Sequence, residues 1–281
     1  MKTRIIVDST VNTTPEMLAR MLIVPLHVRF DDEEFIDGVT ISNEEFYQRL
    51  TTSETLPASS QPSLDTFEKT YEQVTRDGDE AVVLTISSKL SGTYQCACIA
   101  AEDYPNIRVV DTRSATIGSG ILAELALRLA DEGMDAKSIA ARLEEERERV
   151  CLLAVFDTLE YLKKGGRLSA TAALAGTLLS IKPIISIPGG EIAVLGKARG
   201  TRKGNEMLLA EMDKVGGADF SMPVLQGYTG LSGELLDKFL TDSAAVWEEH
   251  PDARRTVPIC SVIGTHAGPG AYATAFFIKR K

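Results

Sequence analysis

The first half of the chain alternates short apolar runs with amphipathic segments. "RIIVD" (4–8) is an apolar run of strand length. "STVNTTPEMLARM" follows with hydroxyl residues, an early proline and then helix formers, the pattern of a helix start. "IVPLHVRF" (23–30) reads as a single strand. "SNEEFYQRL" opens on Ser42 with Glu45 three residues on, a capping box, and "SLDTFEKTYEQV" is a second capped amphipathic helix. "AVVLTIS" is a buried strand, "SGTYQCACIAA" a helix start and "IRVVDT" another strand, with two helices near 118–132 and 135–149. Strands alternating with helices predict a parallel sheet with helices on its faces.

After residue 150 the pattern changes. "CLLAVFDT" is a strand, and "LEYLKKGGR" is a short helix stopped by Gly165 and Gly166. "SATAALAGTLLS" reads as a helix of small residues. "KPIISIPGGEIAVLGKA" sets two apolar runs around Pro188-Gly189-Gly190, a hairpin with its turn residues in place. Helices near 203–215 and 232–247 precede two last strands, "TVPICSVIG" and "AYATAFFIKRK", which flank a loop containing His266. The expectation is an α/β fold of two domains. Residues 1–150 form one with a mainly parallel sheet, and residues 151–281 an α+β domain with a mixed or antiparallel sheet.

Composition narrows the class. With 44% apolar and 25% charged residues the chain is globular in character. Its long apolar stretch "LLSIKPIISIP" is broken by Lys182 and Pro183, short of the roughly 20 residues of a membrane span. "MKTRIIVDST" shows no signal-peptide pattern, so a cytoplasmic location is expected. Cys96, Cys98, Cys151 and Cys260 lack metal spacing and read as core thiols. The net charge of −10 is uneven: residues 1–150 carry 15 basic and 27 acidic side chains, and the remainder 15 and 13. An acidic chain argues against nonspecific nucleic-acid binding. The basic stretch Lys197, Arg199, Arg202 and Lys203 suits either an acidic partner surface or a solvated loop and helix start.

Candidate chemistry collects at four places. In "TISSKLSGTYQ" a buried strand ends in hydroxyls, and Ser91-Gly92-Thr93 opens a helix whose free amides favour a carboxylate or phosphate; equally, Ser91 caps that helix. In "LPASSQPS", Ser59 and Ser60 either face a ligand or satisfy a turn. In "EYLKKGGRLS", Arg167 is better placed than the lysines to reach inward. His266, in "IGTHAGPGA", is the fourth. Asp8, beside Ser9 and Thr10, fixes a turn or lines a site; His27 reads as a strand residue and His250 as surface. There is no G-x-S-x-G, no phosphate-binding loop with its lysine, no H-E-x-x-H and no C-x-x-C. Hydrogen-bond donors without an activated nucleophile or metal point to binding.

Five stretches in series, "DST" near residue 8, "SSQPS" at 59–63, "SSKLSGTY" at 87–94, "LEYLKKGGRLS" at 159–169 and "GTHAGPGA" at 264–271, span essentially the whole chain. On them the sequence resembles the DegV family, bacterial fatty acid-binding proteins that present acyl chains to a fatty acid kinase. The resemblance implies two α/β domains with one fatty acid between them, such as palmitate, stearate or oleate. It implies no further cofactor, no metal and no catalytic residue. Carried over by position, Ser91 and Gly92 match the S-G-T carboxylate contact, Arg167 the arginine after paired glycines, and His266 the histidine of H-x-G-P-G-A. Ser59, with Ser60 after it, stands where the family usually has threonine: the hydroxyl is kept and a methyl lost. Asp8, Ser9, Thr93 and Thr265 are further expected lining residues, and the basic stretch at 197–203 an expected docking surface. Two other readings stay open from the residues themselves. One is a hydrolase or transferase using Ser91 or Ser59 with His266; the other is a binding module for a phosphorylated metabolite.

Overall fold

The computed structural model describes residues 2–168 and 180–280; the small-residue helix expected at 169–180 falls almost wholly outside the described residues. Strands β1 (Thr3–Asp8), β2 (Leu22–Val24), β3 (His27–Phe30), β4 (Glu33–Ile36), β5 (Ala58–Ser60), β6 (Glu80–Thr85) and β7 (Ile107–Asp111) make up two sheets. The order β2-β1-β6-β7 is parallel at every pairing, as the alternation predicts. Its central strands are buried on both faces: Ile5 and Val7 join one apolar cluster and Ile6 another. That is the environment in which parallel strands read as continuous apolar runs. The order β4-β3-β5 is antiparallel.

"IVPLHVRF" is not one strand. It breaks between β2 and β3, which lie in different sheets. Pro25 has no N–H to give a ladder, and Leu26 N donates to Ser9 Oγ at 3.0 Å instead of to a neighbouring strand. This corner brings β3 and β5 alongside the carboxyl end of β1.

The second half builds a mixed sheet from β8 (Val150–Val155), β9 (Ile181–Ser186), β10 (Ala193–Arg199), β11 (Leu225–Tyr228), β12 (Thr256–Pro258) and β13 (Tyr272–Phe277). The order is β10-β9-β8-β13-β11-β12, antiparallel except for the β11–β12 pair. The β9–β10 hairpin turns through Pro188–Gly190, where both glycines have positive φ. Side chains alternate across this sheet. Cys151, Leu153 and Val155 of β8 pack with Tyr272 and Phe276 of β13 against Leu208 and Met212 of the helix Gly200–Lys214. Leu152 and Ala154, with Ala273, Ala275 and Phe277, face the other way and join the cluster of the first half.

One helix fills the seam. Thr116–Asp131 is buried along most of its length and packs on β1 and β6 as well as on β8, β11 and β13. Its one acidic side chain there, Glu124, is 7% exposed and meets Arg255 from the second half (Nη1 to Oε2, 2.9 Å) and Thr13 Oγ1. Arg255 also donates from Nη2 to Val224 O at 2.7 Å.

The expected strand "TVPICSVIG" also divides. Only Thr256–Pro258 is strand, and Ser261–Ala267 is a helix. The β-branched residues are overruled by tertiary context. Val262 packs with Phe46 and Leu26 in a small cluster, and Ser261 N is received by Asp37 Oδ1. His266 therefore sits in the last turn of a helix, ended by Gly268 at φ +70°, and not in a loop between two strands.

Replacing Glu124 by Ala leaves Arg255 without its carboxylate and Thr13 without its acceptor. The expected loss is about 1.5–3 kcal/mol, the range for hydrogen bonds to charged groups, read from urea unfolding. An unchanged midpoint would show that the pair contributes nothing to the seam.

Candidate functional site

Between the inner face of the mixed sheet, the end of β6 and the three-stranded sheet lies a cavity with about 900 Å³ of unfilled space, part of it open to solvent. Its wall is mainly apolar: Leu152 and Phe156 from β8 and just beyond, Ile185, Ile187 and Ile192 from the β9–β10 hairpin, Ile86 and Leu90 after β6, and Val262 and Ile263 from the His266 helix. The alternation of the mixed sheet explains the space. The residues that β8, β11 and the start of β13 turn toward the cavity include Ala154, Gly227, Ala271 and Ala273, while Val155 and Phe276 point away. Bulky residues fill the far face and small ones leave this face hollow.

One side of the wall is polar. Ser59 and Ser60 come from β5, Gln61 follows, Ser91 precedes the helix Thr93–Ala100, Arg167 follows the paired glycines, and His266 closes the group. Ser59 Oγ and His266 Nε2 are 2.7 Å apart. Arg167 donates from Nη1 to Gly165 O at 2.6 Å and from Nε to Leu90 O at 3.2 Å, so its head is held beside the Ser91 loop. Both glycines are required. A Cβ on Gly165 would stand 2.3 Å from His266 Nδ1, and Gly166 turns the chain at φ +71°. Arg167 is the single formally charged side chain in the described wall.

Burial, and after it the charge of Arg167, lowers the pKa of His266 from 6.5 to about 4. The ring is neutral near pH 7. Its Nδ1 is buried against Gly165 with no hydrogen-bond partner among the described residues, and its Nε2 shares a hydrogen bond with Ser59 Oγ.

Comparison with known proteins places this arrangement. The family model described as "Uncharacterised protein, DegV family" matches residues 2–279. The chain belongs to the DegV family. A DegV domain-containing protein of Caldanaerobacter subterraneus is 35% identical over 283 residues, covering 98% of each chain. A solved DegV family protein from Thermus thermophilus, described by its fatty acid binding, superposes with a TM-score of 0.88 at 29% identity over 99% of this chain and 100% of its own. A stearic acid-binding protein from Eubacterium ventriosum superposes with a TM-score of 0.82 at 27% identity over 98% of both chains.

Within this DegV chain, Ser59, Ser60, Ser91, Arg167 and His266 meet at the cavity, although they lie on four separate stretches of sequence. Gly92 stands directly behind: a side chain there would collide with Gln61 Oε1 at 2.1 Å. The other expected lining residues lie outside the described wall, in supporting positions. Asp8 is fully buried and accepts from Thr10 N and Ile86 N; burial raises its pKa to about 6 against those bonds. Ser9 donates to Asp37, Thr93 Oγ1 shares a 2.9 Å contact with Ser91 Oγ, and Thr265 Oγ1 donates to Ser261 O. Arg199 and Lys197 are exposed on β10, and Arg202 and Lys203 pair with Glu206 at the start of the next helix. His27 lies in β3 and His250 is exposed, stacked on Phe220.

Sequence reading passed over Gln61 and the apolar wall. The alternation of Leu152, Ala154 and Phe156 carried the signal for the wall, but which face is hollow depends on what packs opposite.

The depressed histidine has a measurable consequence. Below about pH 6.5 the unfolded chain takes up a proton that folded His266 refuses. Its contribution to stability is therefore complete above that value and is lost as pH falls toward about 4. NMR titration of the ring is expected to give a midpoint near 4, and His266→Gln to remove that part of the slope. A midpoint at 6.5 would contradict the buried, neutral ring.

Proposed function

We propose that this protein binds a long-chain fatty acid such as palmitate, stearate or oleate in the cavity. Its carboxylate lies among Ser59, Ser60, Ser91, Gly92, Arg167 and His266, and it is presented to a fatty acid kinase. The observation that carries the reading is an apolar cavity whose described wall holds one formal positive charge, Arg167, with serine hydroxyls and a neutral histidine beside it. A monoanion with an apolar tail complements such a wall. A carboxylate leaving water needs charge-assisted hydrogen bonds, worth about 1.5–3 kcal/mol each. Each buried CH₂ of the tail adds about 0.8 kcal/mol, so the tail supplies most of the affinity and the head sets the register. A phosphorylated metabolite would bring two negative charges and little apolar surface to the same wall.

The second reading, hydrolysis or group transfer through a serine and His266, draws on the 2.7 Å Ser59–His266 contact. Two features weigh against it. Nδ1 of His266 has no orienting partner among the described residues, and a ring with a pKa near 4 is a weak base for a serine hydroxyl. Binding without turnover is the reading we adopt.

In this proposal residues 1–150 and 151–281 act as two domains in the cytoplasm, with the ligand between them. No helix among the described residues is long and apolar enough to cross a membrane. Lys197, Arg199, Arg202 and Lys203 form the kinase-docking surface; they are exposed at the β10 end and the following helix start.

Denaturing extraction of the purified protein followed by mass spectrometry is expected to release one fatty acid per chain. Delipidated protein that rebinds neither oleate nor palmitate would overturn the reading. Steady ester turnover abolished by Ser59→Ala or Ser91→Ala would instead establish the enzyme. Arg167→Ala and His266→Ala should slow phosphorylation of the bound ligand by a partner kinase more than they weaken tail binding. Reversing the charges of Arg199 and Arg202 should weaken kinase coupling and leave lipid affinity unchanged; equal loss of both would refute docking there.

A further inference from the structure

The helix that carries His266, Ser261–Ala267, receives no capping bond from the side chain of its own N-cap residue, Cys260. Its first amide is met from 224 positions earlier: Ser261 N donates to Asp37 Oδ1 at 3.2 Å. The other carboxylate oxygen, Asp37 Oδ2, accepts from Ser9 Oγ at 2.8 Å. Ser9 Oγ in turn accepts from Leu26 N at 3.0 Å, and Asp37 N donates to Leu26 O at 3.0 Å. Asp37 is 3% exposed and lies outside the described cavity wall.

We propose that Asp37 is a positioning residue for the polar cluster, holding the start of the helix whose far end sets His266 against Ser59. Both members of that pair are then referred to one scaffold. Ser59 lies on β5 of the three-stranded sheet, and Asp37 directly follows β4 of the same sheet. A rise of 1.5 Å per residue puts His266 about 7.5 Å along the axis from Ser261, so a tilt of about 10° at the anchor moves the ring by about 1 Å. A 2.7 Å contact between Ser59 and His266 has little more slack than that before it ceases to be a hydrogen bond. The remaining ties at this end are weaker or lie earlier. Ser261 Oγ reaches Asn43 Oδ1 at 3.4 Å, and Tyr47 Oη donates to Ile259 O at 3.1 Å. At the opposite end, Gly268 packs against the Tyr161 ring and His266 against Gly165; both contacts limit the ring without fixing its height. Burial raises the pKa of the Asp37 carboxyl against the bonds from Ser9 and Ser261, which lower it.

The test follows the His266 ring by NMR titration in the full chain, with thermal unfolding and oleate affinity measured alongside. It rests on the fatty-acid reading only for the affinity arm. Asp37→Ala is expected to move the ring midpoint upward from about 4 by about one unit as water reaches the displaced imidazole, and to weaken oleate binding about tenfold. Asp37→Asn keeps an oxygen for Ser261 N and is expected to restore most of both. Leu208→Ala, behind the mixed sheet, should lower the melting temperature and leave the ring midpoint in place. Ser9→Ala frees one carboxylate oxygen and should shift the midpoint less, in the same direction. It decides the matter if Asp37→Ala does not fold. Loss of stability with an unmoved midpoint in Asp37→Ala or Ser9→Ala would make Asp37 merely structural and overturn the proposal. A shifted midpoint in a protein that never binds oleate would leave the positioning role standing and remove the lipid reading.

Discussion

The contact between Ser59 Oγ and His266 Nε2 joins residues 207 positions apart, and much of the molecule is arranged so that it forms. It requires β5 to lie beside β3, the helix Ser261–Ala267 to end where Gly165 leaves room for a ring, and Arg167 to turn back beside the Ser91 loop. Each requirement is met by a backbone feature: the Pro25 corner, two consecutive glycines, or a helix start. The order is therefore built into the folded chain before any ligand arrives, which reduces the entropy lost on binding.

The electrostatics follow from the same enclosure. A cavity lined mainly by alanine, leucine, isoleucine and valine is a poor solvent for charge, and the depressed histidine registers that directly. Two carbonyl oxygens accept from Arg167, and its charge helps lower the pKa of His266. One fixed cation beside a neutral serine–histidine pair makes a wall suited to one negative charge.

Much of this was legible from residue pattern. The parallel sheet came from strand–helix alternation, and the caps at Ser42 and Ser63 came from side-chain chemistry that acts within four residues. The hairpin at Pro188–Gly190 was readable for the same reason, since the turn residues set their own φ. Where local pattern failed, a distant partner had intervened. "IVPLHVRF" divides because Ser9 takes the Leu26 amide, and "PICSVIG" bends into a helix because Asp37 takes the Ser261 amide. No window of neighbouring residues contains either partner.

The site divides along the same line. Sequence alone determined which polar residue types are available to one side of the cavity: the hydroxyls of Ser59 and Ser91, the arginine after paired glycines at Arg167, and His266. Only the tertiary structure decided that Asp8, Ser9, Thr93 and Thr265 stand behind the wall, and that Ala154, Ala271 and Ala273 hollow out one face of a sheet whose other face is full. The reason is physical. Hydrogen-bonding capacity belongs to a residue, whereas an empty volume belongs to the several elements that fail to fill it.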